Sequence, residues 1–278
     1  MTTLQSVRRQ IYEWRRELRH RAAHVRARHA LPPLPARLEH LAEALERDGA
    51  AVTSLAELGA EPRLLAELGQ LLEEAPRRES TAKSYIVHAS AEAVQSCESV
   101  LMWGLGEDLL ALCANYIGLP IAYRGVAVRR DIADGQVSGT RLWHRDSEDR
   151  RILKAIVYVN DVDTTTGPFE FVPKPYAPAT WQVDTYDGSR VDNFESLVAP
   201  EHWRACTGRQ GTVVVVDTCS VYHRGRLPTG KDRLTAFYCY NSATPPQPEN
   251  CKAMFDRERF VARTTLTPLQ RAAISYEY

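Results

Sequence analysis

The first thirty residues carry one narrow apolar stripe. Apolar side chains recur at alternating spacings of three and four from Leu4 to Leu18, the spacing of one face of an amphipathic helix. The proline-rich run 31–35 predicts the end of that helix and a stiff linker. We expect the stripe to pack on the body of the protein. The alternative is that it pairs with a second copy to form a dimer.

The segment from residue 36 to about residue 119 has a mainly helical pattern. Helices are predicted over 36–47, 61–74 and 91–116, and short strands at 51–52 and 85–87. Asp48-Gly49 stops the first helix and Gly118 stops the last one. This segment is therefore expected to form a helical layer.

The pattern changes after Pro120, where short β-type runs appear without a helix between each pair. They span 121–129, 154–160, 169–172, 180–184, 212–217 and 234–240. Many short strands separated by turn residues favour a sandwich or barrel over a parallel α/β sheet. The predicted fold class is α+β, a β-barrel supported by N-terminal helices. Residues 264–278 are expected to form an amphipathic helix packed on the body.

These patterns predict two units. The first is an appendage, residues 1–35, which carries eight arginines and two acidic residues up to residue 30. The second is one larger domain, residues 36–278. It is divided into helical support (36–119), barrel core (120–245) and a C-terminal extension (246–278).

Composition narrows the classes of protein. The 278 residues include 35 basic and 35 acidic side chains, so the net charge is zero, whereas binding to nucleic acid needs a basic excess. No stretch has the apolar length of a membrane span. The six cysteines form no C-x-x-C pair and are typical of a reducing, cytoplasmic protein. Thirty arginines against five lysines indicate mainly a coding bias.

Candidate chemistry begins with Trp143-His144-Arg145-Asp146. Residues two apart on a strand share a face, so His144 and Asp146 are expected to project together. His223 follows the apolar strand 212–216 after a short turn. Two imidazoles and one carboxylate on one face of an ion leave three positions open, which suits non-haem Fe(II). We therefore take His144, Asp146 and His223 as the metal ligands and the catalytic set.

Ten residues after His223 lies Arg233-Leu234-Thr235. Arg233 and Thr235 share a strand face, and an arginine fork with a hydroxyl suits a buried carboxylate. Each motif alone is commonplace, but their order and spacing together favour one site. We interpret Arg233 and Thr235 as residues that bind a co-substrate.

The order of these motifs resembles the Fe(II)/2-oxoglutarate-dependent oxygenases, and within them the phytanoyl-CoA dioxygenase-like family. The resemblance extends over roughly residues 38–245. It is carried further by Leu45–Val52, Tyr123–Asp131, Val157–Val162 and Gly167–Pro173. One departure is Lys174-Pro175-Tyr176, where the family often has Gly-Ser-His.

The resemblance implies a double-stranded β-helix, or jelly-roll, fold. It places His144, Asp146 and His223 at the iron, Arg233 at the distal carboxylate of 2-oxoglutarate, and Thr235 beside Arg233. The implied cofactors are Fe(II), 2-oxoglutarate as co-substrate, and O₂, with succinate and CO₂ as products. The implied partner is a small organic substrate. The arginine-rich coding bias fits a GC-rich bacterium, where such enzymes often act in natural product biosynthesis, and the charge balance and hydropathy predict neither nucleic acid nor a membrane as partner. The protein would be a monomer or a homodimer.

Other side chains near these motifs have competing interpretations. Lys154 either reaches a carboxylate of 2-oxoglutarate or substrate or is an edge or surface lysine. Arg129 and Arg141 are expected to be solvated, with contact to an anionic substrate as the alternative. Trp143 is expected to pack outside the site. Phe237 and Cys239 share the parity of Arg233 and are expected to line the interior. The insertion 174–211, with Trp181, Tyr186 and Trp203, is expected to cover the site.

Two rival functions remain. One is a cupin-like metalloenzyme that does not use 2-oxoglutarate, and the other is a barrel that binds a ligand without catalysis. Loss of 2-oxoglutarate use on Arg233→Ala separates the first rival from the oxygenase, and failure to bind Fe(II) would favour the second. For the oxygenase itself, the outcome of oxidation is open between hydroxylation, desaturation and ring closure.

Overall fold

The fold is described from a computed structural model. It describes residues 29–76, 85–179 and 193–278, together with 7–8, 11, 14–15, 18, 21–25, 27, 183 and 191. Within these residues no helix has the length and apolarity needed to cross a membrane. The predicted strand 180–184 lies outside the described residues, apart from Val183.

Seven α-helices follow the linker in the described residues. They are α1 (Glu39–Asp48), α2 (Arg63–Glu74), α3 (Ala91–Ser96), α4 (Glu98–Trp103), α5 (Glu107–Ile117), α6 (Arg257–Val261) and α7 (Pro268–Ile274). The three helical segments predicted before residue 119 are confirmed, the third as three shorter helices. The predicted C-terminal helix is confirmed in shortened form as α7, which buries Ala273 and Ile274.

Nine strands form two antiparallel sheets. They are β1 (Ala50–Ser54), β2 (Ile86–His88), β3 (Ile121–Asp131), β4 (Leu153–Tyr158), β5 (Phe169–Phe171), β6 (Arg204–Cys206), β7 (Thr212–Asp217), β8 (His223–Gly225) and β9 (Arg233–Ser242). The larger sheet has the order β1-β7-β4-β9-β3-β2, and the smaller sheet has the order β6-β5-β8. The α+β class is thus confirmed.

Alternation along the central strands sends successive side chains to two different cores. On β4, Leu153, Ala155 and Val157 join the large core formed with the helices. Ile156 and Tyr158 face the other way, into a smaller cluster that includes Phe169 and Phe171 of the smaller sheet. The two sheets therefore pack face to face.

Closure of these sheets into one barrel is not seen within the described residues. The hydrogen-bond ladders form two separate sheets. The prediction of a closed barrel therefore goes further than the structure does. What the structure supports is an antiparallel two-sheet sandwich backed by helices.

The turn after α1 connects the helical layer to the smaller core. Gly49 closes α1 with φ +84°, a conformation that glycine adopts without steric cost. A Cβ on Gly49 would lie 2.3 Å from Cγ1 of Val221. The Asp48-Gly49 stop is confirmed, and the glycine also permits close packing against the turn that precedes β8.

The N-terminal stripe differs from the expectation. Trp14 is 64% exposed, and Val7, Ile11 and Leu18 are also exposed. Among the described residues of this segment, the positions that pack against the large core come later, such as Ala23 and Ala27. The expectation that the stripe packs on the body is therefore wrong for these four residues. The dimer alternative and the division at residue 35 stay predictions.

Candidate metal centre

His144, Asp146 and His223 come together although they are far apart in sequence. One ligand atom from each lies within 4.8 Å of those of the other two. A two-residue antiparallel bridge joins the two histidines: His144 N donates to His223 O at 3.1 Å, and His223 N donates to His144 O at 2.9 Å. The bridge places the segment around His144 beside β8 of the smaller sheet.

Both imidazoles are held by their Nδ1 atoms. Nδ1 of His144 lies 2.7 Å from the carbonyl oxygen of Leu142, and Nδ1 of His223 lies 3.2 Å from that of Val221. Because a carbonyl only accepts, Nδ1 carries the proton and Nε2 presents its lone pair. This arrangement is typical of metal-ligating histidines.

The turn 217–221 positions both ligand segments. Asp217 is fully buried, and its carboxylate accepts from Tyr116 Oη at 2.9 Å and from the backbone of Ile152 at 3.2 Å. Backbone carbonyls of this turn also accept hydrogen bonds from the segment that carries His144 and Asp146. Asp146 N donates to Thr218 O at 2.9 Å. Arg145 Nε donates to Cys219 O at 2.8 Å. Arg145, which alternates away from the site, thus fastens the ligand pair to this turn.

Electrostatics keeps the three side chains ready for a cation. Burial, reinforced by the neighbouring His144, lowers the pKa of His223 to about 3. Burial alone would raise the pKa of Asp146, but Lys154 and His223 more than offset it, so that pKa lies well below its usual range. A neutral imidazole beside a carboxylate is the ligand chemistry of a divalent transition metal. The residues present therefore fit such an ion.

The lowered pKa of His223 predicts acid sensitivity of the metal-free protein. Its usual pKa is 6.5 and its folded value is about 3. Between these values the unfolded chain takes up a proton that the folded chain refuses. Stability therefore falls by about 1.4 kcal/mol per pH unit as the pH drops through this window.

Urea unfolding at several pH values measures this effect. In the His223→Gln variant, the free energy of unfolding should depend less steeply on pH than in the wild type, because one proton fewer is taken up on unfolding. The control His202→Gln, which removes a histidine that stacks on Tyr176, should keep the wild-type slope. Equal slopes for all three proteins would contradict the assignment.

Lys154 belongs to the site and is not an edge residue. It lies on the central strand β4, and its Nζ is 2.6 Å from Oδ2 of Asp146. The Lys154 side chain is 22% exposed and that of Asp146 is 14% exposed. The lysine thus binds a predicted metal ligand directly, a contact that the sequence did not indicate.

Arg233 and Thr235 share the interior face of β9, as predicted. Arg233 donates through Nη1 to the carbonyl of Gly167, and its Nη2 lies 3.1 Å from Oδ1 of Asp131. Nε of Arg233 and the hydroxyl of Thr235 are buried without a hydrogen-bond partner in the described part of the chain. Buried polar atoms without a partner are costly, so these two atoms fit a ligand that brings acceptors.

Two neighbours of Arg233 were missed or misjudged from the sequence. Arg129 was expected to be solvated, which is wrong, since its guanidinium lies 3.9 Å from the centre of the Phe237 ring and 3.3 Å from Asp131. Asp131 is 1% exposed and lies between Arg129 and Arg233. Arg129 pairs with Thr235 across the strands, and Asp131 with Arg233. Their alternation on β3 was the signal that could have revealed the cluster.

Of the remaining expectations about neighbouring side chains, one is wrong and two are confirmed. Arg141 is buried and paired with Asp134 at 2.7 Å, so its expected solvation is also wrong. Trp143 packs outside the site, as expected, with its ring centre 4.6 Å from that of Phe194. The interior positions of Phe237 and Cys239 are confirmed by their pairing with β4.

The insertion 174–211 contributes Trp203 to the cluster around Trp143. Trp181 and Tyr186 lie outside the described residues, so the expectation that the insertion covers the site stays a prediction. Lys174, the departure from the family pattern, donates to Leu45 O and to Tyr116 Oη, both at 2.8 Å. It therefore caps α1 rather than joining the site.

Comparison with known proteins gives similarity in structure alone. No protein-family model matches the sequence, and no curated protein matches it. Among solved structures, the epimerase SnoN in complex with Fe³⁺, alpha-ketoglutarate and nogalamycin RO has a TM-score of 0.56 and 20% identity, over 81% of this chain and 90% of that one. The alpha-ketoglutarate-dependent carbocyclase SnoK has a TM-score of 0.54 and 14% identity, over 84% and 95%. EctD from S. alaskensis with bound Fe has a TM-score of 0.51 and 21% identity, over 83% and 84%.

The structural neighbours are thus non-haem iron and 2-oxoglutarate enzymes with a jelly-roll fold. The two-sheet core of this chain has the same architecture. The His-Asp-His group gives the chain a ligand set that can hold a metal ion. The likeness to these structures shows the fold, and the ligand set shows where a metal ion could be held.

Proposed function

We propose that the protein is a non-haem Fe(II)- and 2-oxoglutarate-dependent dioxygenase. It hydroxylates, or otherwise oxidises, a small organic substrate and releases succinate and CO₂. The observation that carries the proposal is the His144, Asp146 and His223 group, in which Nδ1 of each histidine faces a backbone carbonyl and one ligand atom of each residue lies within 4.8 Å of the other two. Iron(II) held by these three residues would supply the site at which 2-oxoglutarate and O₂ react.

The chain's own residues orient the co-substrate. Arg233 and Thr235 bind its distal carboxylate through Nε and the hydroxyl, which are buried without a hydrogen-bond partner in the described residues. Asp131 holds Arg233 from the opposite side at 3.1 Å. A charge-assisted contact in this dry setting is strong because the local dielectric constant is low.

The interior between the sheets excludes water from the reaction. Ile156, Val214, Phe169 and Phe171 form a buried apolar cluster, and the ring of Phe169 lies 5.5 Å from that of His223. Such a lining protects a reactive oxidant from side reactions and keeps the polar contacts of the site unscreened.

The finer assignment goes beyond the class. We assign the chain to the phytanoyl-CoA dioxygenase-like group, with a bacterial biosynthetic role, as a cytoplasmic monomer or homodimer. Hydroxylation is the proposed outcome. Ring closure and stereochemical inversion compete with it, because SnoK is a carbocyclase and SnoN an epimerase.

The direct test is anaerobic. Fe(II) and 2-oxoglutarate added to the protein should give the visible charge-transfer band of the chelate. O₂ and a panel of candidate substrates should then give succinate coupled to product. Metal binding without a band would favour the cupin-like alternative. Absence of metal binding would favour a non-catalytic barrel.

Gly225 offers a separate prediction about the co-substrate pocket. A Cβ at Gly225 would lie 2.6 Å from Nη2 of Arg233, and Arg233 has little room to move because Asp131 and Gly167 hold it. Gly225→Ala should therefore raise the KM for 2-oxoglutarate by about tenfold or more, the equivalent of one lost hydrogen bond, with unchanged metal affinity.

The matched control is Gly69→Ala on α2, where a Cβ would meet nothing within 4 Å. This variant should keep the wild-type KM and gain stability of about 0.5–1 kcal/mol. Steady-state succinate formation and thermal unfolding measure both. An unchanged KM in Gly225→Ala would argue against Arg233 as the co-substrate residue.

A further inference from the structure

The ion pair between Lys154 and Asp146 is the feature that the proposed function does not use. Lys154 lies on β4 with Val216 and Cys239 as its cross-strand neighbours. A lysine on the interior face of a central strand is unusual, since its charge must be paired. Its Nζ lies 2.6 Å from Oδ2 of Asp146, and Asp146 is its only ion-pair partner in the described residues.

The lysine also governs the direction of the Asp146 carboxylate. The backbone of Asp146 is held separately, by donation to Thr218 O at 2.9 Å. Within the described part of the chain, Lys154 is the one hydrogen-bond donor to the Asp146 side chain. Rotation of the carboxylate therefore depends on Lys154.

Engagement of Oδ2 has a consequence for metal binding. A metal that took both carboxylate oxygens would have to displace the ammonium. Ligation through one oxygen would leave the ion pair with Lys154 intact.

The charge of Lys154 has opposite effects on the metal ion and on the dicarboxylate that the site would bind. An ammonium next to the metal position repels a divalent cation and attracts a dicarboxylate. Its effect is strong because both side chains of the pair are largely buried and poorly screened.

We propose that Lys154 is a positioning residue that holds Asp146 to single-oxygen metal ligation and that weakens cation binding while strengthening the binding of the dicarboxylate beside it. This inference rests on the proposed function. It adds a determinant of co-substrate affinity that lies outside the ligand triad and outside Arg233.

The experiment measures two affinities in Lys154→Met and in the wild type. Mn(II) binding to the metal-free protein is followed by the electron paramagnetic resonance of free Mn(II). Binding of 2-oxoglutarate to the Mn(II)-loaded protein is followed by calorimetry. The Kd for Mn(II) should fall about tenfold and the Kd for 2-oxoglutarate should rise about tenfold, the scale of changes in groups that hold a ligand.

Two further variants sharpen the test. Lys252→Met removes the charge of an exposed lysine and should change neither affinity. Lys154→Gln keeps a donor without the charge and should show the same opposite shifts. It carries the test if Lys154→Met lacks a cooperative thermal unfolding transition. Lys154→Arg, which restores the charge, should recover 2-oxoglutarate binding at least in part.

Shifts of the two affinities in the same direction, or no shift, would overturn the inference, because a lysine with a structural role alone cannot separate cation from anion. A wild-type protein that binds neither Mn(II) nor 2-oxoglutarate would overturn the proposed function and this inference with it. Normal wild-type binding without the opposite shifts would overturn the inference alone.

Discussion

Replacing Asp146 by alanine should abolish divalent-metal binding and reduce substrate oxidation to background. The variant removes the single carboxylate from the His-Asp-His group and leaves the ammonium of Lys154 next to the metal position. A bound metal ion contributes several kcal/mol to catalysis, so the loss should be about a thousandfold or more.

The measurement combines free Mn(II) resonance with succinate formation. Asp161→Ala is the matched control, since this aspartate is exposed and its carboxylate accepts from Gln210 N at 2.8 Å, away from the site. It should retain both activities. Thermal unfolding distinguishes loss of the site from loss of the fold, because removing one partner of a largely buried ion pair costs about 3–5 kcal/mol. An Asp146→Ala protein that is folded and binds Mn(II) normally would refute the assigned ligand set.

The histidine-aspartate pair could be predicted because the rule behind it is local. Alternation on an extended chain puts His144 and Asp146 on one side, and the structure places their ligand atoms together with that of His223. The parity of Arg233 and Thr235 followed from the same rule. In each case two residues on one short segment decide the geometry.

Partners from other strands could not be predicted in this way. Lys154 meets Asp146 only because β4 lies between β7 and β9 and turns this side chain to the smaller sheet. The register of β3 against β9 likewise brings Asp131 beside Arg233. Register depends on the whole sheet, so the single-residue expectation that arginines are solvated was wrong for Arg129.

The end of β4 shows how a side chain overrides a local pattern. The apolar run predicted a strand to residue 160, but β4 ends at Tyr158. Asn160 uses its side-chain amide instead, donating to Asp232 O at 2.9 Å and accepting from Leu234 N at 3.0 Å. These bonds to the start of β9 replace strand pairing, and they hold the chain on either side of Arg233.

Arg233→Ala should sharply weaken the use of 2-oxoglutarate while leaving metal affinity unchanged. Arg233 is 2% exposed, and its Nε has no hydrogen-bond partner in the described residues. A hydrogen bond to a charged group contributes about 1.5–3 kcal/mol, so the loss of this contact predicts a rise in KM of about tenfold to a hundredfold. The KM of Arg233→Lys should lie between that of the wild type and that of Arg233→Ala, because lysine keeps the charge but lacks the planar fork.

Arg226→Ala provides the control for this measurement. Arg226 pairs with Glu170 at 3.5 Å and is largely exposed, and on the strand β5 Glu170 alternates with Phe169 and Phe171 of the interior cluster. Its removal should leave the KM for 2-oxoglutarate unchanged. Succinate formation at varied 2-oxoglutarate gives KM, and Mn(II) resonance gives metal affinity. If Arg233→Ala keeps both the wild-type KM and substrate turnover, 2-oxoglutarate is bound by other residues and the assignment of Arg233 is wrong.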